Sequence, residues 1–149
     1  MKKLLVTFTL LLTVFIPTET ISESSLLCHA TCANPVAPVR ISGLVATMYN
    51  AVETQCDSDP LITAGNYKIN PKKASQHKWI ALSRNLLKRW GGKFHYGDKV
   101  EITGAGHKNG IYKIVDTMNR RFKNRIDFLE TGGTKHYKYK NVTIEKVNL

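Results

Sequence analysis

Two aspartates stand where a chain of this kind can do acid–base chemistry. Asp116 closes the apolar stretch Ile114-Val115-Asp116-Thr117, and Asp127 sits inside Ile126-Asp127-Phe128, eleven residues further on. A carboxyl group set among apolar neighbours is desolvated, which disfavours its charged form, and a second carboxylate nearby disfavours it further. An acid that keeps its proton near neutral pH can donate that proton to a leaving group. An aspartate after a strand is also a common turn former or arginine partner, and Arg125 lies two residues before Asp127. Residue types and spacing alone therefore leave a structural role beside the catalytic one.

Metal chemistry has less to work with. Cys28-x3-Cys32 has no second Cys/His pair at ligand spacing, and His29, His77, His95, His107 and His136 are scattered singly. No metal and no cofactor are expected.

The elements that must position the aspartates are short and numerous. Leu44 to Tyr49 is rich in strand formers, Asp57-Ser58-Asp59-Pro60 is a turn cluster, and Ile62 to Ile69, interrupted by Gly65, reads as a loop with short extended pieces. Trp79-Ile80-Ala81-Leu82 is a compact apolar run expected as a buried strand. Arg84 to Trp90 follows as a short helix with Leu86, Leu87 and Trp90 on one face, ended by Gly91-Gly92. Trp79 and Trp90 are expected in the core. Lys99 to Thr103 alternates charged and apolar residues, Asn109-Gly110 is a hairpin signal, and Ile111 to Val115 alternates again. Ile126 to Leu129 and Asn141 to Val147 complete the series. Many short strands punctuated by glycine predict a small all-β barrel with a small helical insert.

The chain has 149 residues, one domain's worth. Its 42% hydrophobic content is too high for a disordered polypeptide. A formal charge of +11 predicts attraction to polyanions, and the N-terminus chooses among them. Met1-Lys2-Lys3 is a positive n-region, Leu4 to Ile16 is an almost unbroken apolar run, and Pro17 ends it. The run is too short for a membrane span and has the order of a secretory signal. The expected organisation is a signal peptide over residues 1–25, a linker over 26–40 containing Asn34-Pro35-Val36-Ala37-Pro38, and a barrel domain over 41–149, with no transmembrane segment once the signal is removed. Ser25-Leu26-Leu27-Cys28 is a poor lipoprotein box, because Leu27 stands where a small residue is needed. An exported chain without a lipid anchor is expected, in the periplasm, cell envelope or outside the cell. Export permits disulfides, but Cys28, Cys32 and Cys56 are odd in number and their pairing stays open. The stretch from Arg120 to Lys146 interleaves lysines and arginines with Tyr137 and Tyr139, a pattern for stacking on sugar rings or for a plain solvated face. In an exported chain no nucleic-acid partner is expected.

Five segments in order, Thr63-Ala64-Gly65, Ile80-Ala81-Leu82, Tyr96-Gly97-Asp98-Lys99-Val100, Val115-Asp116-Thr117 and Asn124-Arg125-Ile126-Asp127, resemble the three-aspartate domain. That family of six-stranded double-psi β-barrels is shared by membrane-bound lytic transglycosylase A and small stationary-phase cell-wall enzymes. The likeness runs from about Val45 to Leu129 and is most specific from Asp116 to Asp127. It implies that Asp127 is the catalytic aspartate and Asp116 its support, with Thr63, Ser83, Thr117, Asn124 and Tyr49 lining or supporting the substrate groove. It further implies cleavage of the N-acetylmuramic acid to N-acetylglucosamine bond of peptidoglycan without water as acceptor. The chain departs from the pattern twice: the family's first aspartate corresponds to Ser83, and the glycine pair after Asp-Thr is Met118-Asn119. These departures keep open an alternative, a wall-glycan-binding module of expansin-like type that does not cut.

Overall fold

A computed structural model describes residues 37–52 and 59–147. The expected signal segment, Cys28, Cys32 and Cys56 lie outside the described residues. Six strands, β1 (Arg40–Asn50), β2 (Trp79–Leu82), β3 (Lys99–Thr103), β4 (Gly110–Thr117), β5 (Arg125–Glu130) and β6 (Tyr139–Lys146), close into a barrel in the order β1-β5-β2-β4-β3-β6. The barrel is mixed: β1 runs parallel to β5 and β2 parallel to β4, while the remaining neighbours are antiparallel. Closure leaves no unpaired sheet edge. The small all-β barrel expected from the spacing of apolar runs is present, with the six strands that the resemblance implies.

Strand alternation fills the interior. Leu44, Ala46 and Met48 of β1, Ile80 and Leu82 of β2, Ile126 and Phe128 of β5, and their counterparts on the other strands form one buried cluster, with Tyr112 set edge-on to Phe128 at 4.9 Å. Residues one step out of phase point away from it. Tyr49, Ala81 and Leu129, joined by Ile69, Ala74 and Met118, make a second buried cluster on the outer face of the wall. This outer cluster carries the site.

Three local expectations are corrected. Arg84 to Trp90 is not one helix but two 3-10 turns, Arg84–Leu86 and Lys88–Trp90, separated by an extended Leu87 (φ −88°, ψ 137°). The reason lies in Gly92, whose amide donates to the Leu87 carbonyl at 3.0 Å and whose missing Cβ would lie 2.1 Å from the Leu86 carbonyl carbon. The chain folds back on itself there, which an α-helix forbids. Leu86 and Leu87 are buried as expected, but Trp90 is 39% exposed and Trp79 is only partly buried. The β3–β4 connection is longer than a two-residue turn: it includes the 3-10 turn Gly106–Lys108, and the Asn109 side chain accepts from the Ala105 amide at 2.7 Å. The longest helical insert is the 3-10 segment Pro71–His77, kinked at Lys73 (φ −126°, ψ 21°), with Asn70 capping it through the Lys72 amide. Among the described residues no helix is long and apolar enough to cross a membrane.

Candidate active site

Four strands put a row of side chains across the outer wall. Thr47 of β1 is the register partner of Asp127 on β5, Asp127 of Ala81 on β2, and Ala81 of Asp116 on β4. Register partners share a face of the sheet, so Thr47, Asp127, Ala81 and Asp116 are neighbours. Simple alternation would not have given this. Ile114 points into the barrel, so Asp116, two residues on, should point inward as well; the β2–β4 ladder instead slips by one residue between Ile80 and Ala81, and Val115 is the extra residue. A one-residue shift reverses the face of everything after it. The bulge turns Asp116 outward, to the face of Asp127.

Asp127 is partly buried and its Oδ1 accepts the Thr47 hydroxyl at 2.7 Å. Burial pushes its carboxyl up to about 6; the Thr47 hydroxyl and the Arg125 guanidinium pull the other way, and the Asp116 charge adds to the rise. Asp116 is held quite differently. Its Oδ1 accepts the amides of Ala64 at 3.0 Å and Thr117 at 2.8 Å, and its Oδ2 accepts the Tyr49 hydroxyl at 3.1 Å. Such donors hold the carboxyl group in one orientation. The two acids thus have separate environments, one partly desolvated and titrating near neutrality, the other tied down by main-chain amides.

The loop Thr63-Ala64-Gly65 supplies one of those amides. Gly65 donates its N–H to the Val115 carbonyl at 2.8 Å, and a Cβ on Gly65 would lie 2.6 Å from that same oxygen. Only glycine lets this loop sit against the bulge. Thr63 is buried and closes the loop, accepting the Tyr67 amide at 3.0 Å through its hydroxyl. It supports the groove and offers no surface to it.

Ser83 also turns inward. It is 0% exposed, its Oγ accepts the Arg125 amide at 3.0 Å, and its own amide donates to the Arg125 carbonyl at 3.0 Å. The two bonds clamp the start of β5 to the end of β2, two residues before Asp127. Ser83, expected to contact substrate, is buried within this clamp, its Oγ accepting the Arg125 amide. Asn124, at φ 52° just before β5, exchanges side-chain and backbone bonds with Asn85 at 2.6 and 3.2 Å, and its carbonyl accepts the Val45 amide at 3.1 Å. Asparagine tolerates this left-handed conformation better than most residues. Thr117 pairs with Leu82 at the end of β4, and its hydroxyl donates to the Leu82 carbonyl at 3.4 Å. Met118, where the family pattern has glycine, is buried in the outer cluster with Ala81 and Leu129.

Sequence reasoning passed over Thr47, a half-buried residue in an ordinary-looking strand. Its alternation with Ala46 and Met48 placed it on the outer face, but only the β1–β5 pairing sets it against Asp127. The basic and aromatic stretch after Arg120 is partly internal. Tyr137 donates to Glu130 Oε1 at 2.7 Å, Ser75 to Glu130 Oε2 at 2.6 Å, and Lys108 pairs with the same carboxylate at 2.5 Å. Glu130 is 3% exposed. Burial alone would raise its carboxyl, but the bonds from Lys108, Ser75 and Tyr137 outweigh it and hold the group below the usual range. Burial and the Glu130 partner push the Tyr137 phenol far upward. Tyr137 is therefore committed to this network.

No protein-family model matches the chain, and no curated protein matches it.

Proposed function

We propose that the protein is an exported lytic transglycosylase that cleaves the N-acetylmuramic acid to N-acetylglucosamine bond of peptidoglycan, with Asp127 as its acid and base. The observation that carries this reading is the contrast between the two carboxyls: Asp127 is partly buried and pushed up to about 6, while Asp116 beside it accepts two amides and a tyrosine hydroxyl. Protonated Asp127 donates to the glycosidic oxygen as the bond to the anomeric carbon breaks and positive charge develops on the sugar. The muramoyl 6-hydroxyl attacks that carbon, and its proton passes to the Asp127 carboxylate. One bond forms, one breaks, the acid is regenerated, and the product is a 1,6-anhydro sugar. No water and no second nucleophilic carboxylate are required, unlike ordinary glycoside hydrolysis. Asp116 is a positioning residue whose charge keeps Asp127 protonated to higher pH.

One observation favours the second reading, a wall-glycan-binding barrel that does not cut. Ser83, where the family pattern has an aspartate, is buried and clamped to Arg125, so that position supplies neither a proton nor a charge. The two readings separate on products. Peptidoglycan incubated with the chain and with Asp127→Asn is analysed by mass spectrometry. Release of muropeptides one water lighter than hydrolysis products, abolished by Asp127→Asn, is expected. Binding to the wall without release by either protein would replace the enzyme with the binding module.

A further inference from the structure

Arg84 and Arg89 follow the end of β2, and Arg125 opens β5. Arg84 directly follows the buried Ser83, which is bonded twice to Arg125. The guanidinium of Arg84 lies over the Trp90 ring at 5.2 Å from its centroid, and that of Arg89 lies over the same ring at 5.4 Å. The Arg84 Nε is buried without an acceptor, which leaves hydrogen bonding to its terminal nitrogens. Among the described residues neither Arg84 nor Arg89 forms an ion pair. Arg125 differs from these two: it rests on Phe122 and its charge acts on Asp127. Tyr96 joins the shelf to the acids, since it lies within electrostatic reach of Asp116, Arg89 and Arg84.

Two guanidinium groups stacked on one partly exposed tryptophan cost conformational freedom and bring like charges together. The cation–π contacts offset part of that cost, and a guanidinium's planar donor fork matches a carboxylate in bidentate fashion. Resting on the wall-glycan reading above, we propose that Arg84 and Arg89, fixed on Trp90, bind a carboxylate carried by the glycan next to the sugar that enters the Asp127 groove. Two carboxylates of peptidoglycan have this chemistry: the lactyl group of muramic acid, free once the stem peptide is removed, and the acidic side chains and termini of the stem peptide itself.

Binding is measured by calorimetry on the chain carrying Asp127→Asn, so that no substrate is consumed. Three glycans of equal length serve as probes: a peptide-stripped peptidoglycan tetrasaccharide, the same tetrasaccharide with stem peptides, and an N-acetylglucosamine tetramer, which has no carboxylate. At least tenfold tighter binding of one or both charged probes than of the neutral one is expected at low salt. That preference should fall below threefold when Arg89→Gln is added, and Arg89→Lys should restore it only in part because lysine lacks the fork. The tighter of the two charged probes identifies the lactyl or the stem carboxylate. Equal affinity for charged and neutral glycans, or a preference that survives Arg84→Gln combined with Arg89→Gln, overturns the inference. Anhydro products released from peptidoglycan by the parent chain, with no charge preference in the calorimetry, would refute the shelf alone. Failure to bind any of the three glycans would refute the wall-glycan reading together with it.

Discussion

Asp116 and Asp127 flank the same residue, Ala81, from opposite sides of β2. An alanine between them keeps the floor of the row low, and the bulge at Val115 is what puts both carboxyls on one face. The pair is asymmetric in the manner of a working acid and its support: one carboxyl accepts a hydroxyl and is partly desolvated, the other accepts two amides and a phenol. On the proposed mechanism this asymmetry gives the two carboxyls different roles.

On the proposed mechanism Asp127 sets the pH dependence of turnover. As a general acid it must be protonated, so the rate is expected to level off below about pH 6 and to fall about tenfold per pH unit above it. A pH–rate profile of anhydro-muropeptide release checks this; a flat profile from pH 5 to 8 would remove Asp127 from the acid role.

The same shift has a consequence for stability. The folded chain holds the Asp127 proton more tightly than the unfolded chain, so stability from this group is greatest at low pH and is lost as pH rises from about 4 through about 6, by on the order of 2–3 kcal/mol. Asp127→Asn, which cannot ionise, is expected to melt above the parent chain at pH 7.5 and to converge with it near pH 4. Melting curves at the two pH values read the difference.

Thr47→Val and Asp116→Asn should move the titration of Asp127 in opposite directions. Thr47→Val removes the hydroxyl that stabilises the carboxylate and is expected to raise it. Asp116→Asn removes a negative neighbour and is expected to lower it, while also weakening the amide cap by about 1–3 kcal/mol. Carbon-detected NMR titration of the Asp127 carboxyl distinguishes the signs; equal shifts in one direction would mean that global loosening, not these contacts, is being measured.

Gly65→Ala is expected to cost about 1–3 kcal/mol and most of the activity. Its Cβ would lie 2.6 Å from the Val115 carbonyl oxygen, and moving the loop away would take the Ala64 amide from Asp116. A thermal melt together with the muropeptide assay tests both halves. Wild-type turnover in the variant would show that the Ala64 contact does not position Asp116.

Glu130→Gln bears on the fold rather than the groove. It leaves Lys108 beside a neutral group in a largely buried network and is expected to destabilise the chain by about 3–5 kcal/mol at pH 7. Glu130 titrates below its ordinary value, so its contribution is present above pH 5 and is lost as the medium is acidified through the folded-state value. The variant should therefore approach the parent chain at low pH in denaturant melts.

Much of this protein is written in local pattern. Period-two alternation in Lys99 to Thr103 and Ile111 to Val115, and the apolar runs Trp79 to Leu82 and Ile126 to Leu129, are enough to mark strands, because a half-buried strand and a buried one each need those side chains. The two acids were legible for the same reason: a charge inside an apolar run is conspicuous. The 3-10 turns between Arg84 and Trp90 were not, since the competing influence is the backbone of Gly92, which no helical periodicity registers. Nor was Thr47, whose partner is eighty residues away. Tertiary structure alone decided that a bulge at Val115 brings Asp116 to the face of Asp127, that Ser83 turns inward, and that Trp90 stays at the surface under two arginines. Each of these depends on which strands become neighbours when the barrel closes, and closure joins residues by register across the sheet rather than by spacing along the chain.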